Sequence, residues 1–251
     1  MSWHKYKKSL LKTYRRLRCS FLRGHRILIL GDSHAGVFEY IFDKDLLAPH
    51  LLNAEIVGGA TAGGLSNDHS VTAAFAKYQQ SLSRFADYDV VVVMLGEVDC
   101  SFALWNRAKQ RNESVFAQIP RAMQGIARLL DWAGEHYPQR RFVLAGTILP
   151  TIKDEEIDLQ YYELRRSVRA TQRERSDLVL AFNEAVRQLA GERGLPYLDI
   201  SSQTIDANTG VVRDEFLVQE KLDHHQSQAA TAPFWTEQLK RVLCELREGR
   251  W

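Results

Sequence analysis

The sequence has few cysteines and no long apolar run, and both shortages exclude whole classes of protein. No segment approaches the roughly 18 to 20 apolar residues that span a bilayer, and the N-terminus has no apolar core of a signal peptide. Cys19, Cys100 and Cys244 are too few and too far apart for a disulfide framework or a zinc ribbon. We therefore expect free thiols and a cytoplasmic protein.

Acidic residues are absent from the first 26 positions, which hold nine of the 33 Lys and Arg of the chain. All 31 Asp and Glu follow later, so a basic head precedes an acidic body. Within the head, apolar side chains recur every three or four positions, as on one stripe of an amphipathic helix. The stripe consists of Trp3, Tyr6, Leu10, Tyr14, Leu17 and Phe21. We expect a basic amphipathic helix over residues 1–25 and one α/β domain over residues 26–251.

Two surfaces suit such a helix. Residues 1–23 could lie on an anionic membrane, which would place the protein peripherally at the inner face of the membrane. Alternatively, the stripe packs on the body or on a protein partner. We expect no nucleic-acid partner, because the body is acidic and carries no recognised reader motif.

Strand and helix patterns alternate along the body, which predicts a parallel sheet covered by helices on both faces. The chain of 251 residues, 45% of them hydrophobic, is long enough for one substantial core. The predicted strands are Ile27–Leu30, Ala54–Gly58, Asp89–Leu95, Arg141–Ala145 and Pro196–Ile200.

Polar or glycine-rich clusters follow three of these strands. Asp32, Ser33 and His34 follow the first strand, in a turn to a helix whose free N–H groups favour a developing anion. A loop with four glycines, 58–64, follows the second strand, and the block 96–99 follows the third. Ligands bind at the carboxyl ends of the strands in such sheets. We therefore expect an active site at this edge.

These blocks, followed by Asp223-His224-His225-Gln226-Ser227 near the C-terminus, resemble the SGNH (GDSL-like) hydrolase superfamily over about residues 25–245. The resemblance implies a flavodoxin-like three-layer α/β/α sandwich with a five-stranded parallel sheet, and no cofactor or metal. It implies that Ser33 is the nucleophile, His225 the base and Asp223 the third member of a triad. It also implies Gly59, or alternatively Gly58, as the oxyanion donor beside the Ser33 N–H.

Two positions depart from the family pattern. Val98 stands where the third block has an asparagine that donates to the oxyanion, and losing one such donor typically costs roughly 100 to 1000-fold in rate. Asp223 lies two residues before His225, where the family has a spacing of three. The candidates for compensating groups or substrate contacts in the same clusters are Gly96, Glu97, Asp99, Asp32, His34 and His224.

The resemblance implies chemistry on acyl esters, because a serine needs a histidine to take its proton and the histidine needs a carboxylate. The wording Gly-Asp-Ser-His-Ala resembles that of members linked to polysaccharide O-acylation. We therefore expect an ester hydrolase or an acyltransferase that acts on a small-molecule or glycan ester.

Two other function classes stay open. Asp32-x-His34 also matches the start of metallophosphoesterases, with four further candidate ligands downstream. These candidates are Glu97, Asp99, His224 and His225. The second class is a non-catalytic glycan-binding or nucleotide-binding module, which Val98 favours.

Overall fold

The computed structural model describes residues 3–154, 168–218 and 223–249, and a five-stranded parallel sheet forms its centre. The strands are β1 (Arg26–Gly31), β2 (Leu51–Ile56), β3 (Val90–Met94), β4 (Arg141–Ala145) and β5 (Tyr197–Leu198). Their spatial order is β2-β1-β3-β4-β5, which is the flavodoxin-like order. The expected fold class is confirmed.

The helices of the described residues form the two outer layers. They are α1 (Trp3–Phe21), α2 (Gly36–Asp43), α3 (Ala74–Arg84), α4 (Leu104–Arg111), α5 (Ile119–His136), α6 (Gln172–Glu192), α7 (Ser201–Thr204) and α8 (Gln228–Arg247). Helices α2 and α8 pack on one face of the sheet, through Phe38 and Trp235 among others. Helices α3, α5 and α6 pack on the other face, where Tyr78 and Phe182 are buried.

The central strands are apolar throughout because both of their faces are covered. In β3, the side chains of Val90 and Val92 belong to one buried cluster and those of Val91 and Val93 to the other. Strand β2 lies at the edge of the sheet and is only partly buried over Asn53–Ile56. It begins at Leu51, three residues earlier than the sequence pattern predicts, because the polar Asn53 interrupts the apolar run, as a partly buried edge strand tolerates.

Helix α1 is fixed to the domain by its second half. The buried Arg15 guanidinium donates to the carbonyl oxygens of Phe42 and Asp43, at the end of α2. Arg18 pairs with Asp45, and Cys19 is fully buried. The end of the basic head is thus an integral part of the domain.

The apolar stripe of α1 faces solvent where its side chains are described. Tyr14, Leu17 and Phe21 are 58%, 65% and 86% exposed. The stripe residues Trp3, Tyr6 and Leu10 lie in a part of α1 whose side chains are outside the description. In the described chain, none of the helices has the length and apolar character that crossing a bilayer requires.

Candidate active site

The turn from β1 into α2 presents Ser33 and buries its neighbours. Asp32 caps a 3-10 turn over Ser33–Ala35, because its Oδ1 accepts the His34 N–H at 2.9 Å. Asp32 and His34 are buried, whereas Ser33 is partly exposed. The serine therefore occupies the accessible position of a tightly held turn at the carboxyl edge of the sheet.

Asp32 is built into the turn as a buried cap. Burial raises its pKa to about 6, although the nearby His34 acts in the opposite direction. Hydrogen bonds from the backbone N–H groups of His34 and Glu97 also act to lower this pKa, but burial outweighs them. The sequence placed Asp32 among the substrate contacts, and the structure shows it holding the turn that carries Ser33.

His34 joins the first block to the third. Its Nε2 lies 3.0 Å from Oε2 of Glu97, and both side chains are almost fully buried. Glu97 follows β3, the strand next to β1 in the sheet. This carboxylate and imidazole therefore tie together the ends of the two central strands beneath Ser33.

Asp223 and His225 form a second carboxylate and imidazole pair. Oδ1 of Asp223 lies 2.7 Å from Nδ1 of His225 and also accepts the His225 backbone N–H at 2.9 Å. Burial alone would raise the pKa of Asp223, but these hydrogen bonds outweigh burial and the pKa is lowered. An ionised carboxylate at Nδ1 leaves Nε2 as the basic nitrogen of the ring.

The last block lies against the first. The rings of His225 and His34 have centroids 4.4 Å apart, so His225 packs on the residue that follows Ser33. His224 contacts His34 edge-on, with centroids 5.3 Å apart. No hydrogen bond joins the Ser33 hydroxyl to His225 in the described part of the chain. Catalytic hydrogen bonds are often long before substrate binds and tighten in the reacting complex.

Contacts with the segment after β4 hold the last block in place. The Thr151 hydroxyl donates to the carbonyl oxygen of His224 at 2.6 Å. The Gln226 side chain donates to the carbonyl oxygen of Leu149 at 3.2 Å. Thr151 and Gln226 are therefore positioning residues, and the sequence did not indicate Thr151, since contacts between distant segments leave no local pattern.

Asp99 anchors the glycine loop. Its two oxygens accept the N–H groups of Ala62 and Gly63, at 2.6 and 3.1 Å. The side chain is fully buried, and burial raises its pKa to about 6. Asp99 is another predicted substrate contact. In the structure both of its carboxylate oxygens accept hydrogen bonds from backbone N–H groups of this loop.

The predicted oxyanion glycines lie at the exposed start of the same loop. Gly58 and Gly59 occupy a turn that the Ala60 N–H closes onto the Val57 carbonyl oxygen at 3.0 Å. Gly59 has a φ of 72°, which glycine adopts without strain at the third position of such a turn. Donation from this turn to an oxyanion stays a prediction.

Both the backbone conformation and the packing at position 96 require a glycine. Its φ is 135°, and a Cβ at this position would lie 2.4 Å from the Phe182 ring. The neighbouring Val98 is partly exposed and brings no side-chain donor. The third block therefore contributes Glu97 and Asp99 as buried supports.

Known proteins resemble this chain in sequence pattern and in fold. Residues 30–228 match the model of the GDSL-like lipase/acylhydrolase family. No curated protein matches the sequence.

Several solved structures share the fold. A GDSL-like lipase from Bacteroides thetaiotaomicron aligns with a TM-score of 0.55 and 12% identity over 94% of this chain and 97% of its own. An aryl esterase from M. smegmatis aligns with a TM-score of 0.55 and 15% identity over 87% of this chain and 99% of its own. An extracellular lipase from Streptomyces rimosus aligns with a TM-score of 0.53 and 14% identity over 87% of this chain and 99% of its own. At these identities the likeness concerns the fold.

Proposed function

We propose, from the premise that the chain belongs to the GDSL-like lipase/acylhydrolase family, that it hydrolyses acyl esters with Ser33 as the nucleophile. One observation carries the proposal. The His225 ring, held by Asp223 at 2.7 Å, packs beside the turn that presents Ser33. A serine, a histidine and an ionised carboxylate are the groups that this chemistry needs.

The reaction proceeds in two steps. The Ser33 hydroxyl attacks the acyl carbonyl while Nε2 of His225 takes its proton, and the same nitrogen then returns that proton to the departing alcohol. Water attacks the acyl-enzyme in the second step, again losing its proton to His225, and releases the acid. Asp223 stabilises the imidazolium that forms in each step.

The oxyanion of each tetrahedral intermediate needs donors. The Ser33 N–H supplies one of them and Gly59 the second, because both belong to turns at the carboxyl edge of the sheet. Val98 supplies none, so we expect slower turnover than a third donor would give, by roughly 100 to 1000-fold.

Covalent labelling tests the proposal. A fluorophosphonate probe should label the wild-type protein at Ser33 and leave Ser33→Ala unlabelled, and only the wild type should hydrolyse p-nitrophenyl acetate. A protein that is neither labelled nor active would support the binding module. Phosphodiester hydrolysis that is lost to a chelator would support the metallophosphoesterase instead.

The proposal also concerns which molecule accepts the acyl group from Ser33. The Gly-Asp-Ser-His-Ala turn resembles that of proteins linked to polysaccharide O-acylation, so we propose a glycan ester as substrate and a sugar hydroxyl as a competing acceptor. Mass spectrometry of an oligosaccharide incubated with enzyme and an acyl donor measures this directly. Transfer that depends on Ser33 supports an acyltransferase, whereas release of the free acid alone supports a hydrolase.

We also propose that the protein works at an anionic membrane surface. The exposed side chains Tyr14, Leu17 and Phe21 of α1 form an apolar face on a segment rich in cations. An apolar face flanked by Lys and Arg is typical of helices that lie in the interface of an anionic bilayer.

A further inference from the structure

Three histidines from two distant segments converge beside Ser33. One ring nitrogen from each of His34, His224 and His225 lies within 4.8 Å of the other two. Among the residues that the structure describes, this is the one group of three or more His, Cys, Asp or Glu side chains gathered closely enough to share a metal ion. The metallophosphoesterase alternative had grouped these histidines as candidate ligands together with Asp32, Glu97 and Asp99, and among the described side chains the structure gathers the three imidazoles alone.

Two of the three histidines are also oriented by carboxylates. Glu97 lies 3.0 Å from Nε2 of His34, and Asp223 lies 2.7 Å from Nδ1 of His225. In metal sites, a ligating histidine donates its second ring N–H to such a carboxylate, which fixes the ring and raises its basicity. The cluster thus has both the ligands and the outer support of a metal centre.

We propose that His34, His224 and His225 bind a transition metal such as Zn²⁺, and that the bound metal switches off the ester chemistry at Ser33. The metal would take the nitrogen of His225 that otherwise accepts the Ser33 proton. The inhibition rests on the proposed function, whereas the metal site itself does not.

The donor set selects the kind of metal. Imidazole ligands suit zinc, copper and nickel, whereas magnesium and calcium prefer oxygen ligands. Three histidines with an open fourth position form a tetrahedral zinc site, with bonds of about 2.0–2.1 Å. His34 is buried and fixed, while His224 and His225 are partly exposed in a loop, so their rings can close onto the ion.

Direct binding is the first test. Equilibrium dialysis of the full chain should show one Zn²⁺ per protein, unaffected by excess Mg²⁺. His224→Ala removes a ligand and should weaken Zn²⁺ binding by at least about tenfold. The exposed His69 is outside the cluster, so His69→Ala should bind as the wild type does. Equal Zn²⁺ affinity of His224→Ala and the wild type would overturn the site.

Cobalt gives a second readout on the unaltered protein. Co²⁺ in a site of three imidazoles and one water should give the intense visible absorption of four-coordinate cobalt, and Zn²⁺ should abolish it. The weak spectrum of octahedral Co²⁺ would contradict the proposed coordination. This test needs no variant, so it holds even if some variants fail to fold.

Labelling of Ser33 tests the inhibition. Zn²⁺ should slow fluorophosphonate labelling of the wild type at least tenfold, and a chelator should restore it. Labelling at the full rate in Zn²⁺-loaded protein would overturn the switch. If Zn²⁺ binds as expected but Ser33 is never labelled in metal-free protein, the metal site stands and the hydrolase proposal fails.

Discussion

Asp32 and Asp223 are carboxylates of the same site with opposite electrostatic surroundings. Asp32 is almost fully buried, and burial raises its pKa to about 6 against the opposing effects of His34 and two backbone hydrogen bonds. Asp223 is exposed and accepts two hydrogen bonds from His225, which outweigh its partial desolvation and lower its pKa. Groups whose surroundings separate their pKa values in this way take different roles. Asp223 suits the stabilisation of an imidazolium, and Asp32 suits a structural cap.

Substitutions in the last block should follow the roles of its side chains. His225→Ala removes the proton acceptor and should lower kcat on the order of a million-fold, whereas Asp223→Asn, which removes only the orienting charge, should cost on the order of ten-thousand-fold. His224→Ala should cost less than either. Steady-state hydrolysis of p-nitrophenyl acetate measures the ranking, and a larger loss in His224→Ala than in His225→Ala would identify His224 as the base.

Asp32 should make the protein less stable as the pH rises. The folded protein holds the Asp32 proton up to about pH 6, whereas the unfolded chain releases it near pH 4. Between these values the folded state binds more protons, so the free energy of unfolding decreases with pH, by about 3 kcal/mol from this group. Asp32→Asn keeps the oxygen that accepts the His34 N–H and removes the titration. Its decrease in stability between pH 4 and pH 8 should therefore be about 3 kcal/mol smaller.

Denaturant unfolding at pH 4, 6 and 8 measures this difference, and the partly exposed Asp206 provides the control. Hydrogen bonds from Thr209 and Asn208 lower the pKa of Asp206, so that group adds stability as the pH rises from acid. Asp206→Asn should therefore shift the pH dependence in the direction opposite to Asp32→Asn. Parallel curves for wild type and Asp32→Asn would show that Asp32 titrates normally in the folded protein.

The buried strands and their carboxyl ends could be predicted from the sequence, and the edges could not. β4 has the bounds that the pattern predicts, and β3 differs by one residue at each end. Both could be predicted because a strand that is buried on both faces has a continuous apolar sequence. At the edge, β2 includes Asn53 and Glu55, and the pattern misplaces its start. Helices α3 and α4 escaped prediction altogether, being short and mixed in polarity.

Helix α5 supports the glycine loop through a close approach at Gly125. A Cβ there would lie 1.9 Å from the carbonyl oxygen of Ala62, whose N–H is bound by Asp99. Gly125→Ala should therefore displace the loop and lower both the melting temperature and the rate of ester hydrolysis. Thermal unfolding followed by circular dichroism, together with the hydrolysis rate, measures the two effects.

Gly134 on the same helix is the matched control. A Cβ at Gly134 meets nothing within 4 Å, so Gly134→Ala should stabilise the protein by about 1 kcal/mol through helix propensity alone. If Gly125→Ala is as stable and active as Gly134→Ala, the loop does not depend on this approach.

Across the molecule, the C-terminal part of α1 and the active site lie at opposite ends of the sheet. Arg16 pairs with Asp87, just before β3 begins, and Arg15 reaches the end of α2. Ser33 and Glu97 follow the other ends of β1 and β3. If a membrane contacts the exposed face around Leu17 and Phe21, we therefore expect the substrate edge to stay accessible.

The order of the blocks and the family resemblance predicted Ser33, Asp223 and His225 as site residues, and their catalytic roles stay predictions. The contacts that hold these blocks in place could not be predicted from the sequence. The contact of His34 with His225, and the pairing of Thr151 with the His224 carbonyl, join segments more than 70 residues apart. Such contacts arise only when the sheet brings the segments together.

Membrane binding should depend on the exposed face of α1 and on the charge of its lipid partner. Replacing Leu17 and Phe21 together by serine removes apolar surface that makes no buried contact, so the fold should persist while most of the binding to anionic vesicles is lost. Cosedimentation with anionic vesicles measures this loss, with zwitterionic vesicles as the lipid control. Raising the salt from about 0.1 to 1 M should weaken wild-type binding, because the Debye length falls from about 10 to 3 Å.

Val71 provides the matched protein control for this experiment. It is fully exposed on a loop away from α1, so Val71→Ser removes an exposed apolar side chain and should leave vesicle binding unchanged. Deleting α1 is a poorer test, because the deletion also removes the buried Arg15 and Cys19. Wild-type protein that stays in solution with anionic vesicles, or a double variant that still sediments with them, would overturn the proposal that this face of α1 binds the membrane.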